Sequence, residues 1–349
     1  MFEHVDLTGM NKMQMLDAPI VSESADVERL FRESESQSLS MSIAGMRHSQ
    51  GGHTAVADGR MLITETFNRV HVPLGSSADK SPDTVDVDAG ATWSEIQRRV
   101  CNFRRTPRVQ QSSAHFSVGG SLSVNCHGRE VRWGSVSDTV EEITVLTGAG
   151  GKPIPASPSK NPELFRAAIG GYGACGMILS ARLKLVPNFM LYRGWNIRTL
   201  AQYQNEIEGI HRLPVGNEFR PKAGRLHLHH GWVNASEEGY LGQVISYAVK
   251  EDQQTATNEN GSVSWASRLK TEGWGTSELL RAGWAISRIE PSFRKTVWDR
   301  LASRAKSSSG IPFARVDLLR EDILFTSSKG DADGVDLLQE YFVPIGQLE

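Results

Sequence analysis

The chain reads as an α+β protein, and three kinds of signal predict that class. Period-two apolar stretches mark short strands, as in Leu39-Ser40-Met41-Ser42-Ile43. Helix-start signatures stand between them, at Ser24, at Thr92 with Glu95, and at Asn161-Pro162. Glycine clusters punctuate the boundaries, and no internal repeat is evident.

Taken in order, Ser24 is expected to cap a helix running to about Ser34, with Val27, Leu30 and Phe31 as its buried stripe. The strand Leu39–Ile43 runs straight into Gly45, with Gly51 and Gly52 six residues on and His48 and Ser49 between. Glycine admits positive φ and close backbone approach, so successive N–H groups can converge on an anion. The pattern predicts a loop around a phosphorylated cofactor, although a plain hairpin turn explains one such loop equally well. Met61-Leu62-Ile63 and Val85-Asp86-Val87 read as further strands. Thr92 and Glu95 form a capping-box pattern, opening a helix through Val100 with Ile96 and Val100 on one face and Trp93 in the core.

A second loop of the same character follows, from His115 through Val118, Gly119 and Gly120 to Asn125-Cys126-His127-Gly128. Ser117, Ser121 and Ser123 offer hydroxyl donors beside the backbone donors, which suits the several oxygens of a diphosphate. Glu142–Thr147 is a strand closed by a hairpin-type turn at Gly148–Gly151, and Asn161-Pro162 starts the next helix with a cap and a proline at its first position.

Gly171-Tyr172-Gly173-Ala174-Cys175-Gly176 fits the GxGxxG spacing of a dinucleotide fingerprint. That fingerprint needs a strand before it and a helix after it. Here Leu164–Ile169 is helical and Met177–Leu185 alternates like a strand, with no acidic residue about 20 positions on. A Rossmann nicotinamide site is therefore excluded.

Three segments together, AGMRHSQGG, FSVGGSLSVNCHG and LFRAAIGGYGACG, resemble the FAD-binding domain of the vanillyl-alcohol-oxidase family. Sugar-lactone, alditol and decaprenylphosphoryl-ribose oxidases are the nearest likenesses. The resemblance covers about Asp26 to Pro187. It implies a PCMH-type FAD-binding domain of two α/β subdomains over residues 1–187, followed over 188–349 by a partial substrate cap with an antiparallel sheet. It also implies the cofactor contacts: Ala44, Gly45, Met46, Arg47, His48, Ser49, Gln50, Gly51 and Gly52 from the first loop, and Ser117, Val118, Gly119, Gly120, Ser121, Ser123, Asn125, His127 and Gly128 from the second. The glycine-rich segment adds Gly176 and the backbone near Ile178. In many members the first-loop histidine, here His48, is joined to the flavin 8α-methyl carbon; in others the cofactor is held without a bond. Arg47 replaces the usual small residue before it. No cysteine lies within Gln110–Ser117 and Cys126 falls too late for a second link, so at most one attachment is expected. His127 is expected to pack and hydrogen-bond, and His53 to face solvent.

Composition sets independent bounds. A hydrophobic fraction of 39% and a charged fraction of 22% are ordinary globular values. A net charge of −2 points away from nucleic acid and from anionic membranes. The three cysteines, Cys101, Cys126 and Cys175, lack metal-ligand spacing, and are expected as buried small hydrophobes in a reduced compartment. No metal is expected. The N-terminus lacks signal-peptide organisation, and no apolar run approaches the roughly 20 residues of a membrane span. A cytoplasmic location is the resulting expectation.

After Val186-Pro187-Asn188 the character changes. Tryptophans become frequent (Trp195, Trp232, Trp265, Trp274, Trp284, Trp298), and the polar stretches Glu251–Gly261 and Ser303–Gly310 read as loops. Alternation in Arg225–Trp232 places Arg225, His227 and His229 on one strand face. In the resembling enzymes such a face lines the substrate cavity, which makes these three candidates for substrate contact; a solvated face is the alternative. The chain ends at Glu349 where such a cap sheet is still in progress, so a fragment or a shortened cap is expected, with the groups that act on substrate mostly absent.

The resemblance thus implies oxidation of a CH–OH carbon of a sugar-derived alcohol, lactone or polyol, with hydride passing to flavin N5. It leaves the electron acceptor, oxygen or another, open. Two alternatives stand beside it: an NADPH-dependent reductase of the cell-wall amino-sugar type, and a cofactor-binding remnant without chemistry.

Overall fold

The structure, a computed structural model, describes residues 1–6, 11–49, 52–77, 79–148, 151–188, 190–211, 226–233, 241–248 and 312–314, with single helical positions at 296, 299 and 303. The chain divides into two units. The first contains Met1–Gly128 and Trp133–Asn188; the second contains Arg129–Arg132 and the described residues from 190 to 314.

The first unit opens with a hairpin of β1 (Phe2–Val5) and β2 (Lys12–Met15), then α1 (Ser24–Ser36). The helix buries Val27 and Leu30 as the apolar spacing predicts, and runs two residues beyond Ser34. Ser24 is not its cap. Glu23 holds the extended cap position, and Asp26 in the first turn accepts from both the N–H and the hydroxyl of Ser22. That carboxylate ties down the residue before the cap, and among the described residues no side chain caps the first-turn N–H groups of the helix itself. Next come β3 (Met41–Ala44) and β4 (Arg60–Ile63), which pair in parallel. Arg60 starts β4 with its side chain 9% exposed; it holds Asp17 through two bonds of 2.9 Å and reaches Glu33 and Ser34 of α1 at 3.4 and 3.3 Å. One guanidinium thereby fixes α1 against β4. Arg60→Met is expected to cost about 1–3 kcal/mol in urea unfolding, at the lower end of a broken buried pair because both carboxylates can turn to water.

The main sheet follows: β5 (Val70–His71), β6 (Thr84–Asp88), β7 (Arg105–Pro107), β8 (Val140–Leu146), β9 (Pro153–Ala156) and β10 (Met177–Pro187). Its order is β5-β6-β10-β8-β9, with β7 on the end of β10, and every pairing is antiparallel. The connections carry α2 (Trp93–Val100), α3 (Val118–Ser123) and α4 (Pro162–Ala168). The central strand β10 has two apolar faces. Met177 and Leu179 join Val27, Leu30 and Leu62 in one core, while Ile178, Ala181, Leu183 and Leu185 join Trp93, Val118, Leu122 and Ile143 in the other. The inward parity changes from even to odd numbers because the register with β8 shifts between Ile178 and Ser180, as a β-bulge requires. The Thr92–Glu95 capping box forms as predicted. Asn161 occupies the α4 cap position, but at φ 50°, and its side chain bonds Pro155 O instead of the helix. The three cysteines are half-buried, not fully buried, and none is in a disulfide.

In the second unit, β11 (Met190–Thr199), β12 (Leu226–Val233), β13 (Leu241–Ala248) and β14 (Pro312–Ala314) form an antiparallel sheet in the order β12-β13-β11-β14. Helix α5 (Leu200–His211) follows β11 directly. Thr199 and Gln202 exchange side-chain-to-backbone bonds at its start. The segment Arg129–Arg132 lies along β12, with Val131 N–H donating to His227 O and His229 N–H to Arg129 O. The polar stretches predicted as loops, apart from position 303, and Trp265, Trp274, Trp284 and Trp298 lie outside the described residues. Among the described residues no helix is long and apolar enough to cross a membrane.

Candidate functional site

The site is built where the two glycine-bearing segments meet. Ala44 ends β3 buried, its carbonyl accepting from the N–H and the hydroxyl of Thr64, and the chain then turns at Gly45. A Cβ on Gly45 would fall well inside contact distance of Ser117 Oγ and 3.3 Å from Ser117 Cβ, so any larger residue there forces Ser117 to shift. Met46 is half-buried. Arg47 is exposed at φ 56° and ion-pairs with Glu65 at 2.6 Å. The left-handed backbone explains why a small residue suits this position, since a side chain there costs about 1 kcal/mol.

His48 is half-buried with its ring edge-on to Phe116, centroids 4.8 Å apart at 61°. Its Nδ1 is buried with no hydrogen-bond partner among the described residues. Burial, and secondarily the charge of His115, hold its pKa below the ordinary histidine value. Ser49 Oγ lies 3.1 Å from His53 Nδ1, and His53 is exposed as predicted. Gln50 and Gly51 lie outside the described residues; Gly52 sits at φ 69°.

The second segment is held open by α2. The first-turn donors of that helix are spent on it, Trp93 N–H on Phe116 O and Ser94 N–H on Ala114 O. Residues 114–116, a turn and a bend, are thereby held against the helix start, and Ser117 follows as an isolated bridge to Thr92. What reads in sequence as a loop then becomes α3, capped by the Ser117 hydroxyl. Two expectations change in consequence. The Val118 and Gly119 N–H groups do not stand free for an anion; they donate to Ala91 O and Ala89 O at 2.8 and 2.7 Å. Gly119 is needed because a Cβ would lie 2.8 Å from Ala89 Cβ, and Gly120 offers its N–H to Ser117 Oγ. The hydroxyls of Ser121 and Ser123 are also taken up inside the protein. Ser121 Oγ accepts from Trp93 Nε1 and donates to Gln111 Oε1, and Ser123 Oγ donates to Gly119 O.

Asn125 ends the helix at φ 48° and accepts from Ser137 N–H, while exposed His127 donates from Nδ1 to the carbonyl of adjacent Gly128. The glycine-rich segment docks on the same helix end through Gly170 N–H to Leu122 O and Tyr172 N–H to Ser123 O. Gly176, at φ 136°, leaves no room for a Cβ beside Leu146 O, and Ile178 is a core side chain with only its backbone available.

In the second unit His229 stacks on Tyr203 of α5 and shares a 3.1 Å hydrogen bond with it; burial lowers its pKa. The register shift between Leu226 and Leu228 breaks the expected alternation, so His227 and Leu228 are both buried. Arg225 lies outside the described residues. Among the described residues no group of His, Cys, Asp and Glu is arranged to hold a metal.

The residues at the meeting point fit a dinucleotide cofactor. Besides His48 Nδ1, the hydroxyls of Ser42, in β3 before the first loop, and of Ser113, before the second segment, are buried without hydrogen-bond partners among the described residues. Each costs about 1–3 kcal/mol if left so, which a polar ligand recovers. His115 and Phe116 open the second motif yet are absent from the expected cofactor contacts, and Ser113 stands just ahead of it.

Residues 20–156 match the family described as FAD binding domain. They form a PCMH-type FAD-binding domain, and FAD is its cofactor. An uncharacterized oxidoreductase of the fasciation locus of Rhodococcoides fascians is 30% identical over 219 residues, 62% of this chain and 46% of that protein. Cytokinin dehydrogenases 9 and 10 of Oryza sativa subsp. japonica are 30% and 33% identical over 164 and 168 residues, 46% and 47% of this chain and 30% of each relative. The matched stretch is thus less than half the length of each of these relatives.

Proposed function

We propose that the chain supplies the cofactor domain, residues 1–187, and part of a substrate-covering domain, residues 188–349, of an FAD-dependent oxidoreductase. The observation that supports this best is the convergence of His48, Phe116, Gly45 and Ser117 within one FAD-binding domain. Bound FAD supplies a two-electron acceptor for hydride. Around it, the first-loop residues Ala44–Gly52 and the α3 region from Ser117 to Gly128 hold the cofactor, with backbone from Gly176 and Ile178. The close approaches at Gly45 and Gly119 hold the first loop against Ser117 and α3 against Ala89. His48 is the residue joined to the flavin; its low pKa leaves the ring neutral and nucleophilic at neutral pH.

The donor is read as a CH–OH carbon of a sugar-derived alcohol, lactone or polyol, on the strength of the three motifs. A second reading, a cytokinin as donor, is favoured by the relatives named for that activity. The two separate in one experiment. FAD-loaded protein is mixed without oxygen with a polyol, an aldonolactone, a cytokinin and NADPH in turn, and bleaching of the visible flavin band is followed. Bleaching by the polyol or lactone supports the first reading, and bleaching by the cytokinin the second. NADPH alone bleaching the band would replace both with a reductase, and a flavin reduced only by dithionite would leave a cofactor-binding piece without turnover.

A further inference from the structure

We infer that Phe116 and His115 are positioning residues for attachment of the flavin, together presenting the His48 ring to the cofactor. This rests on the reading that His48 is joined to FAD. The attachment joins an imidazole nitrogen to the 8α-methyl carbon. One methyl C–H bond and the imidazole N–H are broken. Both protons and the C–H electron pair end on the isoalloxazine ring, and dioxygen then takes up the pair as hydrogen peroxide. Such a step needs the imidazole uncharged and held in a single orientation.

The structure provides for both from one strip of chain. Phe116 meets the His48 ring edge-on at 4.8 Å, and its own carbonyl is pinned by the Trp93 N–H at 3.2 Å, so the aromatic wall is fixed through α2. His115, the preceding residue, is exposed and, when it carries a proton, repels one on His48. Of the charged and titratable groups on the first loop, Arg47 turns to Glu65, and His53 lies against Ser49 and the Tyr172 ring. Among the described residues Nδ1 of His48 is buried without a hydrogen-bond partner, which leaves that atom open to the cofactor.

The test uses the full chain incubated with FAD, measuring total bound flavin in the native protein and the fraction that stays with the acid-precipitated pellet. Wild type is expected to retain flavin in the pellet and His48→Ala to lose it. Phe116→Ala is expected to bind FAD yet attach it at least about tenfold more slowly, with Phe116→Tyr restoring the rate. In a pH series the attachment rate rises as His48 loses its proton. His115→Glu, replacing a repelling group with an attracting one, is expected to move that midpoint up by about one unit, and His115→Lys to leave it at or below the wild-type value. Should Phe116→Ala fail to hold FAD, the His115→Glu midpoint alone decides. Wild-type rates in Phe116→Ala, or an unmoved midpoint in His115→Glu, overturn the inference while leaving the His48 link intact. Release of all flavin from acidified wild type overturns the link itself, and the inference with it.

Discussion

Gly45→Val is expected to yield protein that folds its main sheet but takes up little or no FAD. The reason is steric and local. Gly45 leaves β3 where the first loop passes Ser117, and even a single carbon would overlap Ser117 Oγ. For Gly45→Ala there is an escape, because the serine can rotate. The rotation gives up its cap on α3, worth about 1 kcal/mol. Valine has no such escape, since its methyls would meet Ser117 Cβ and the strip around it, and overpacking of this kind typically costs about 1–3 kcal/mol. That energy is relieved most readily by separating the two loops, which is the cofactor site. Flavin content after incubation with FAD and gel filtration, set against the unfolding midpoint, distinguishes the two effects. The pair Gly45→Ala with Ser117→Gly is expected to recover binding relative to Gly45→Ala alone. Full FAD uptake by Gly45→Val would show that the loops do not need to touch.

How much of this was legible beforehand follows from the range of the forces involved. The Thr92–Glu95 box, Pro162 at a helix start and the β10 strand were readable because each is decided by neighbours a few residues apart. The first two motifs also lie inside the stretch that matches an FAD binding domain. What sequence hid is long-range. Nothing in Val118-Gly119-Gly120 says that two of its N–H groups will be consumed by carbonyls of residues 89 and 91, almost thirty positions away. The bulge that reverses the parity of β10, and the one that buries His227 beside Leu228, are settled by partner strands. Helix α5 is a different kind of omission. Its Thr199 and Gln202 spell the capping-box pattern, and only the unfamiliar surroundings obscured it.

Trp93 connects these levels, and its replacement tests whether the second segment is held from behind. Its indole is fully buried beneath α3, and its Nε1 donates to Ser121 Oγ at 2.9 Å, a hydroxyl that in turn donates to Gln111. Its backbone N–H holds Phe116 O. Trp93→Ala removes the ring and leaves a cavity, an expected loss of about 3–5 kcal/mol. That is a large part of what a domain has to lose. Trp93→Phe keeps most of the volume, retains the backbone bond and forfeits only the side-chain one, so about 1–2 kcal/mol is expected. The flavin spectrum is the deciding observable. Because the indole lies in the core between α2 and α3, Trp93→Phe is expected to lower the unfolding midpoint while leaving the visible absorption of bound FAD unchanged. A shifted or intensified flavin band in Trp93→Phe would mean that the ring stacks on the cofactor itself. An unchanged band with a lowered midpoint means the tryptophan acts through the carbonyl and hydroxyl it holds, which is how a core residue comes to govern a loop it does not belong to.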